Sequence, residues 1–268
     1  MPRDLRAGFD THWTHMGEGP RKVLALHCSL AHSGSWVGLA RAVSGRVTLT
    51  AMDLPGHGRS GAWDGRGEIQ AVCTAIAADF LDGPTDILGH SFGATVALRL
   101  AVEHPDLVRS LVLYEPVFFA VALLDHPGMR ATHAAEMRGY CDGMAGGDMM
   151  RAAECFTRVW GDGRDWEDLP EDTRHALAAQ MPLIEAAAPA LYEDAGGLLA
   201  RDALCKITAP VLLIEGSESP AVIATINSGL AARIPRTRRA VIAGAGHMGP
   251  LTHPRQLATE MLRFVEAV

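Results

Sequence analysis

Aromatic residues are scarce in this chain, at 6% of its 268 residues, so aliphatic side chains must fill most of its interior. Basic runs are absent too. The densest is Arg236-Thr-Arg238-Arg239, and 24 Lys and Arg against 31 Asp and Glu leave a net charge of −7. That balance gives no electrostatic footprint for nucleic acid or an anionic membrane surface as partner. No uncharged apolar run nears the roughly 20 residues a membrane-spanning helix needs; the longest candidate, 110–124, carries Glu115 in its middle. The start, Met1-Pro-Arg-Asp-Leu-Arg6, lacks the apolar segment of a secretory signal. The five cysteines (Cys28, Cys73, Cys141, Cys155, Cys205) are odd in number and show neither C-x-x-C nor metal-ligand spacing. They read as reduced thiols, and a cytoplasmic protein without metal or other cofactor is expected.

What is present is a globular composition, with 48% hydrophobic residues and a mean hydropathy of +0.09. The length suits one large α/β domain, or a core with an insertion. Val23-Leu-Ala-Leu-His27 is the first clear strand, a continuous apolar run of the kind buried on both faces of a parallel sheet. Further strands are expected at 46–52, 86–90, 111–114, 210–215 and 239–242. Apolar spacing predicts helices at 69–82 (Ile69, Val72, Ile76, Phe80), from Ala94 to Val102, and from about Pro254 to the end. Strands alternating with helices argue for a mostly parallel sheet flanked by helices. From 119 to 205 the pattern changes to helical spacing with no convincing strand, broken by paired glycines. This stretch reads as an all-helical cap inserted between two strands, leaving 1–118 and 206–268 as the core.

Gly89-His-Ser-Phe-Gly93 is a G-x-S-x-G pentapeptide, a pattern that arises by chance in about one chain in ten of this make-up. Its context carries more weight, because it joins an apolar strand to a helix. A turn that sharp admits only small flanking residues and leaves the serine hydroxyl exposed at the helix start. A serine needs a neighbouring base to become a nucleophile. Of the 12 histidines, His247 is favoured, since it follows the last strand in Gly244-Ala-Gly-His-Met-Gly249. His27, His57 and His90 read as structural histidines of a strand end, a turn and the pentapeptide. His104, His126, His133, His175 and His253 lie in helical or surface-like contexts.

With these motifs on the page, the sequence resembles the α/β-hydrolase superfamily over nearly its whole length. The carrying segments are His27-Cys-Ser29, Asp53-Leu-Pro-Gly-His-Gly-Arg-Ser60, Gly89–Gly93, Pro210-Val-Leu-Leu-Ile-Glu-Gly216 and Gly244–Gly249. The resemblance implies Ser91 as nucleophile, His247 as base, the amides of Ser29 and Phe92 as oxyanion donors, and 119–205 as a lid. Cys28, His90 and Met248 flank these groups and are expected beside the substrate.

Two departures stand out. The family usually has His-Gly where this chain has His27-Cys28, so the backbone there must suit a side chain. Where the family usually keeps its triad acid, in Gly-x-x-Asp, this chain has Gly216-Ser-Glu-Ser219. Serine cannot hold an imidazole in the correct tautomer and balance its charge. Glu115 and Glu218 are the candidates. Glu115 is preferred, because a carboxylate inside Leu111-Val-Leu-Tyr-Glu-Pro-Val-Phe-Phe119 needs a partner once buried. The expected activity is cleavage of a small carboxylic ester through an acyl-enzyme. Cleavage of a carbon–carbon bond by the same triad, and a non-catalytic receptor on the same fold, are the competing readings. Haloalkane dehalogenation would need Asp at position 91. Met129, Met137, Met144, Met149 and Met150 are either a soft pocket lining or ordinary core filling. A homodimer is compatible with the sequence, which leaves the oligomeric state open.

Overall fold

A computed structural model describes residues 2–268. Eight strands form one sheet in the order β1-β2-β4-β3-β5-β6-β7-β8. They are β1 (Arg3–Arg6), β2 (Phe9–Met16), β3 (Arg21–Leu26), β4 (Val47–Met52), β5 (Thr85–His90), β6 (Val108–Tyr114), β7 (Val211–Gly216) and β8 (Thr237–Ile242). β1 and β2 form a hairpin and β2 pairs antiparallel with β4, while every pairing from β4 to β8 is parallel. Both residues of the hairpin turn have positive φ, Ala7 at 46° and Gly8 at 77°, the conformation that matches the twist of the two strands.

Helices α1 (Val37–Ala42), α2 (Ile69–Asp79) and α3 (Phe92–Glu103) alternate with β3 to β6. α4 (Phe119–Asp125), α5 (Met129–Ala145), α6 (Met149–Trp160), α7 (Glu171–Ala179) and α8 (Met181–Tyr192) all lie between β6 and β7, without an intervening strand. α9 (Ala221–Ala231), α10 (Gly249–Thr252) and α11 (Pro254–Val265) complete the chain. No helix among the described residues is long and apolar enough to cross a membrane.

Alternation along each strand builds two cores. Leu24, Leu26, Leu111 and Leu113 face the core that holds residues of α2, α3 and α9, whereas Val23, Ala25 and Val112 face the one that holds residues of α1 and α11. A fully buried Leu or Val contributes about 1.5–3 kcal/mol, so a strand with both faces covered is held firmly. The helices from α5 to α8 join the first core, and α4 packs on α9, where Asp125 pairs with Arg233.

The strand order reverses at β3, whose neighbours are β4 on one side and β5 on the other. The loops leaving β3 and β5 therefore part in opposite directions and open a crevice at the carboxyl edge of the sheet, the place where open α/β sheets bind ligands. At the opposite end of β5, Asp86 is buried and accepts hydrogen bonds from Arg21 of β3 (2.5 and 3.1 Å), Arg109 of β6 (3.1 Å) and the Ser110 hydroxyl (2.6 Å).

Candidate active site

Ser91 follows β5 directly and begins the turn into α3 with φ 55° and ψ −118°, a strained conformation for a residue with a side chain. The flanking glycines make the turn sterically feasible. A Cβ on Gly89 would lie 2.5 Å from the Ala94 Cα, and one on Gly93 would lie 2.4 Å from the carbonyl oxygens of Leu26 and His27. The Ser91 amide donates to the Tyr114 carbonyl at the end of β6 (2.9 Å), which fixes the turn against the sheet.

His247 arrives from the loop after β8. Its Nε2 lies 2.9 Å from the Ser91 hydroxyl oxygen and its Nδ1 lies 2.7 Å from Glu115 Oε2. With the proton on Nδ1, the imidazole donates to the carboxylate and accepts from the serine. Glu115 is fully buried at the end of β6 with φ 47°. Its other oxygen, Oε1, accepts from the Gly216 amide (2.8 Å) and from the Ser219 hydroxyl. Three donors thus meet the two oxygens of this buried carboxylate, which offsets the cost of taking it out of water. Glu218 is exposed, its carboxylate meets only the Ser217 hydroxyl (3.1 Å), and it does not reach His247.

Sequence reasoning missed the part played by Ser219. It registered this residue only as a serine where an acid was expected, yet its hydroxyl donates to Glu115, the carboxylate that meets His247.

Ser29 follows β3 across the crevice. Neither its amide nor that of Phe92 donates a hydrogen bond to another group among the described residues, so both are free to meet an incoming oxygen. Leu30, with φ 63°, takes the left-handed position of this loop, and Cys28 does not, which is why a side chain is accommodated where the family has glycine. Burial pushes the Cys28 thiol up to about 12, far from thiolate formation.

A cavity of about 300 Å³ opens over Ser91 and His247, with Cys28, Ser29 and Met248 on its wall. His90 does not border it, contrary to expectation. Its ring packs between Trp36, Tyr114 and His247, and its Nε2–H donates to the His247 carbonyl (2.8 Å). Burial, with His247 beside it, holds it well below the ordinary 6.5, so it supports the His247 backbone as a neutral ring. His27 and His57 are likewise buried and structural, donating to the carbonyls of Cys28 (2.7 Å) and Pro55 (2.9 Å).

The rest of the wall comes from Val117, from Phe119 at the start of α4, and from α5, α6 and α8. Trp160 sets its ring edge-on to His247 at 4.8 Å between centroids. Phe119 stacks on Tyr192 (4.6 Å) and on His133 (4.5 Å). His133 is therefore buried, 3% exposed, and not in the surface-like context its sequence neighbours suggest. Of the five methionines between 129 and 150, only Met137 lines the cavity; the others pack against the core.

Comparisons with known proteins agree with this architecture. The sequence profile of the Alpha/beta hydrolase family matches residues 23–260. A pimeloyl-[acyl-carrier protein] methyl ester esterase of Neisseria meningitidis serogroup C is 31% identical over 94% of this chain and 96% of that protein. Lipase LipV of Mycobacterium tuberculosis is 42% identical over 43% of this chain and 44% of its own. Among solved structures, a bromoperoxidase from Bacillus anthracis superposes with a TM-score of 0.76 at 19% identity, over 99% of this chain and all of that one. A thermophilic esterase from Thermogutta terrifontis gives 0.74 at 19% identity, over 100% and 99%. These two share the fold. The strained serine turn, the sheet order and a profile that spans both segments flanking the helical insertion lead to one conclusion: the chain belongs to the α/β hydrolase family.

Proposed function

We propose that this protein hydrolyses small carboxylic esters through an acyl-enzyme on Ser91, with His247 as general base and acid and Glu115 as the acid of the triad. The unbroken hydrogen-bonded line from the Ser91 hydroxyl through His247 to buried Glu115, at the floor of a cavity, carries the reading. The esterase and lipase named above support the ester as the bond cleaved.

As Ser91 Oγ attacks the acyl carbon, its proton passes to His247 Nε2, and the resulting imidazolium is balanced by Glu115 across the 2.7 Å contact. Negative charge develops on the former carbonyl oxygen, which the amides of Ser29 and Phe92 would hold; one such donor is worth about 3 kcal/mol in a protease. His247 then protonates the leaving alcohol. Water, deprotonated by the same nitrogen, attacks the acyl-serine and releases the acid with the enzyme restored. Residues 119–205 act as the lid, since its Trp160 reaches His247 and its helices wall the cavity.

A fluorophosphonate probe should add to Ser91, located by peptide mass spectrometry. A chromogenic short-chain ester should give a burst of alcohol that Ser91→Ala abolishes. Turnover unchanged in that variant overturns the assignment.

A further inference from the structure

The cavity wall has one carboxylate and no side chain of opposite charge. Glu185 of α8 lines the cavity together with aromatic residues, and no Lys or Arg does. Its Oε1 accepts from the Tyr140 hydroxyl (2.6 Å), and no cation pairs with it among the described residues. Tyr140 in turn packs against Phe156 (5.7 Å). Tyr192 lines the same cavity as Tyr140 and Glu185, and burial, with smaller contributions from neighbouring groups that include this carboxylate, pushes both phenols up.

An unpaired carboxylate among aromatic faces is the combination that attracts an organic cation, through charge and through the ring quadrupoles. The charge of the surrounding helices has the same sign. Residues 119–205 hold seven arginines and no lysine against fifteen carboxylates, a balance of −8 in a chain whose total is −7. This segment thus carries the molecule's whole negative excess, a field that favours a cation over an anion approaching it.

We infer that the ester accepted at this site carries a cationic nitrogen, an ammonium or quaternary ammonium group, bound by Glu185 among Tyr140, Phe156 and Tyr192 while the ester carbon reaches Ser91. The inference rests on the esterase reading above and goes beyond it in naming the substrate class.

The test compares matched esters in which a trimethylammonium group is replaced by its neutral tert-butyl counterpart. One arm places the cation on the alcohol, as in choline esters, and the other on the acyl chain of a methyl ester. In at least one arm kcat/KM should favour the cation about tenfold, and Glu185→Gln should bring the ratio near one. A neutral ester used equally well or better in both arms, or a ratio indifferent to Glu185→Gln, overturns the inference. Calorimetric titration of choline and its carbon isostere into Ser91→Ala reads the subsite without turnover. Tighter binding of choline, lost on adding Glu185→Gln, supports the cation subsite even if ester hydrolysis fails; equal binding of the two removes it.

Discussion

On the proposed triad, Glu115 supplies the acid from a different place in the chain than the family usually does, with the Ser219 hydroxyl beside it. The family usually puts its acid after the strand that is β7 here. In this protein the carboxylate comes from the neighbouring strand, β6, and Ser219 turns its hydroxyl toward it as a donor. Glu115, just past the end of β6, and Ser219, in the loop after β7, thus meet each other across the gap between the two strands, and only Glu115 reaches the imidazole. On the proposed mechanism, Glu115→Gln lowers kcat by about four orders of magnitude, because an amide neither fixes the tautomer nor balances the imidazolium. Ser219→Ala removes one of three hydrogen bonds to the carboxylate and should cost about tenfold. Glu218→Gln, altering an exposed side chain, should stay within about twofold. Steady-state kinetics on the three variants check all of this, and a large loss in Glu218→Gln moves the acid to that position.

At the scale of elements, β5 has a structural end and a chemical end. Asp86 at its start binds three partners in the dry base of the sheet, and Ser91 follows its other end. Asp86→Ala should lower stability by about 2–3 kcal/mol, since it strands the buried Ser110 hydroxyl and the largely covered Arg21 guanidinium. Urea denaturation reads the loss, and ester turnover per folded molecule should be unchanged. Legibility differed among elements for physical reasons. β3, β5, β6 and β7 are covered on both faces for most of their length, so their sequences hold near-continuous apolar runs, whereas β4 alternates with threonines and the edge strand β8 shows only its short Ala240-Val-Ile242 run. β1 and β2 were invisible because Arg3–Arg6 is polar and Phe9–Met16 buries Thr11 and His12 along with Phe9 and Trp13, which hides the alternation. Their turn gave no signal either, with Ala where Asn or Asp is usual. Ser91, His247 and Glu115 were legible because each breaks a local rule: a serine between glycines, a histidine between glycines, a carboxylate in an apolar run. Tyr140, Glu185 and Trp160 break no rule in their helices, and only folding brings them to the cavity.

For the whole molecule, the site's neighbourhood sets how the protein meets acid. Burial lowers His27 from 6.5 to about 3 and His57 to about 4, and holds His90 low as well. In the unfolded chain these rings take up protons near 6.5, and in the folded protein they do not. From about pH 6.5 down toward 4 the unfolded state therefore binds more protons, so stability is flat above this window and falls as pH drops through it. At pH 5 each such ring costs about 2 kcal/mol. His57→Gln should lose correspondingly less stability between pH 7.5 and pH 5 than the wild type does, measured by urea midpoints. Equal losses would mean that other groups set the acid response.

The edge-on contact of Trp160 with His247 gives the protein an optical handle on its own chemistry. An imidazolium quenches a neighbouring indole's fluorescence more strongly than a neutral imidazole does. The protonation state of His247 is thereby written into the emission of a tryptophan carried by the helical insertion. The difference in emission between the wild type and Trp160→Phe, read in the free enzyme across pH, would follow that proton with no dye and no chromogenic substrate.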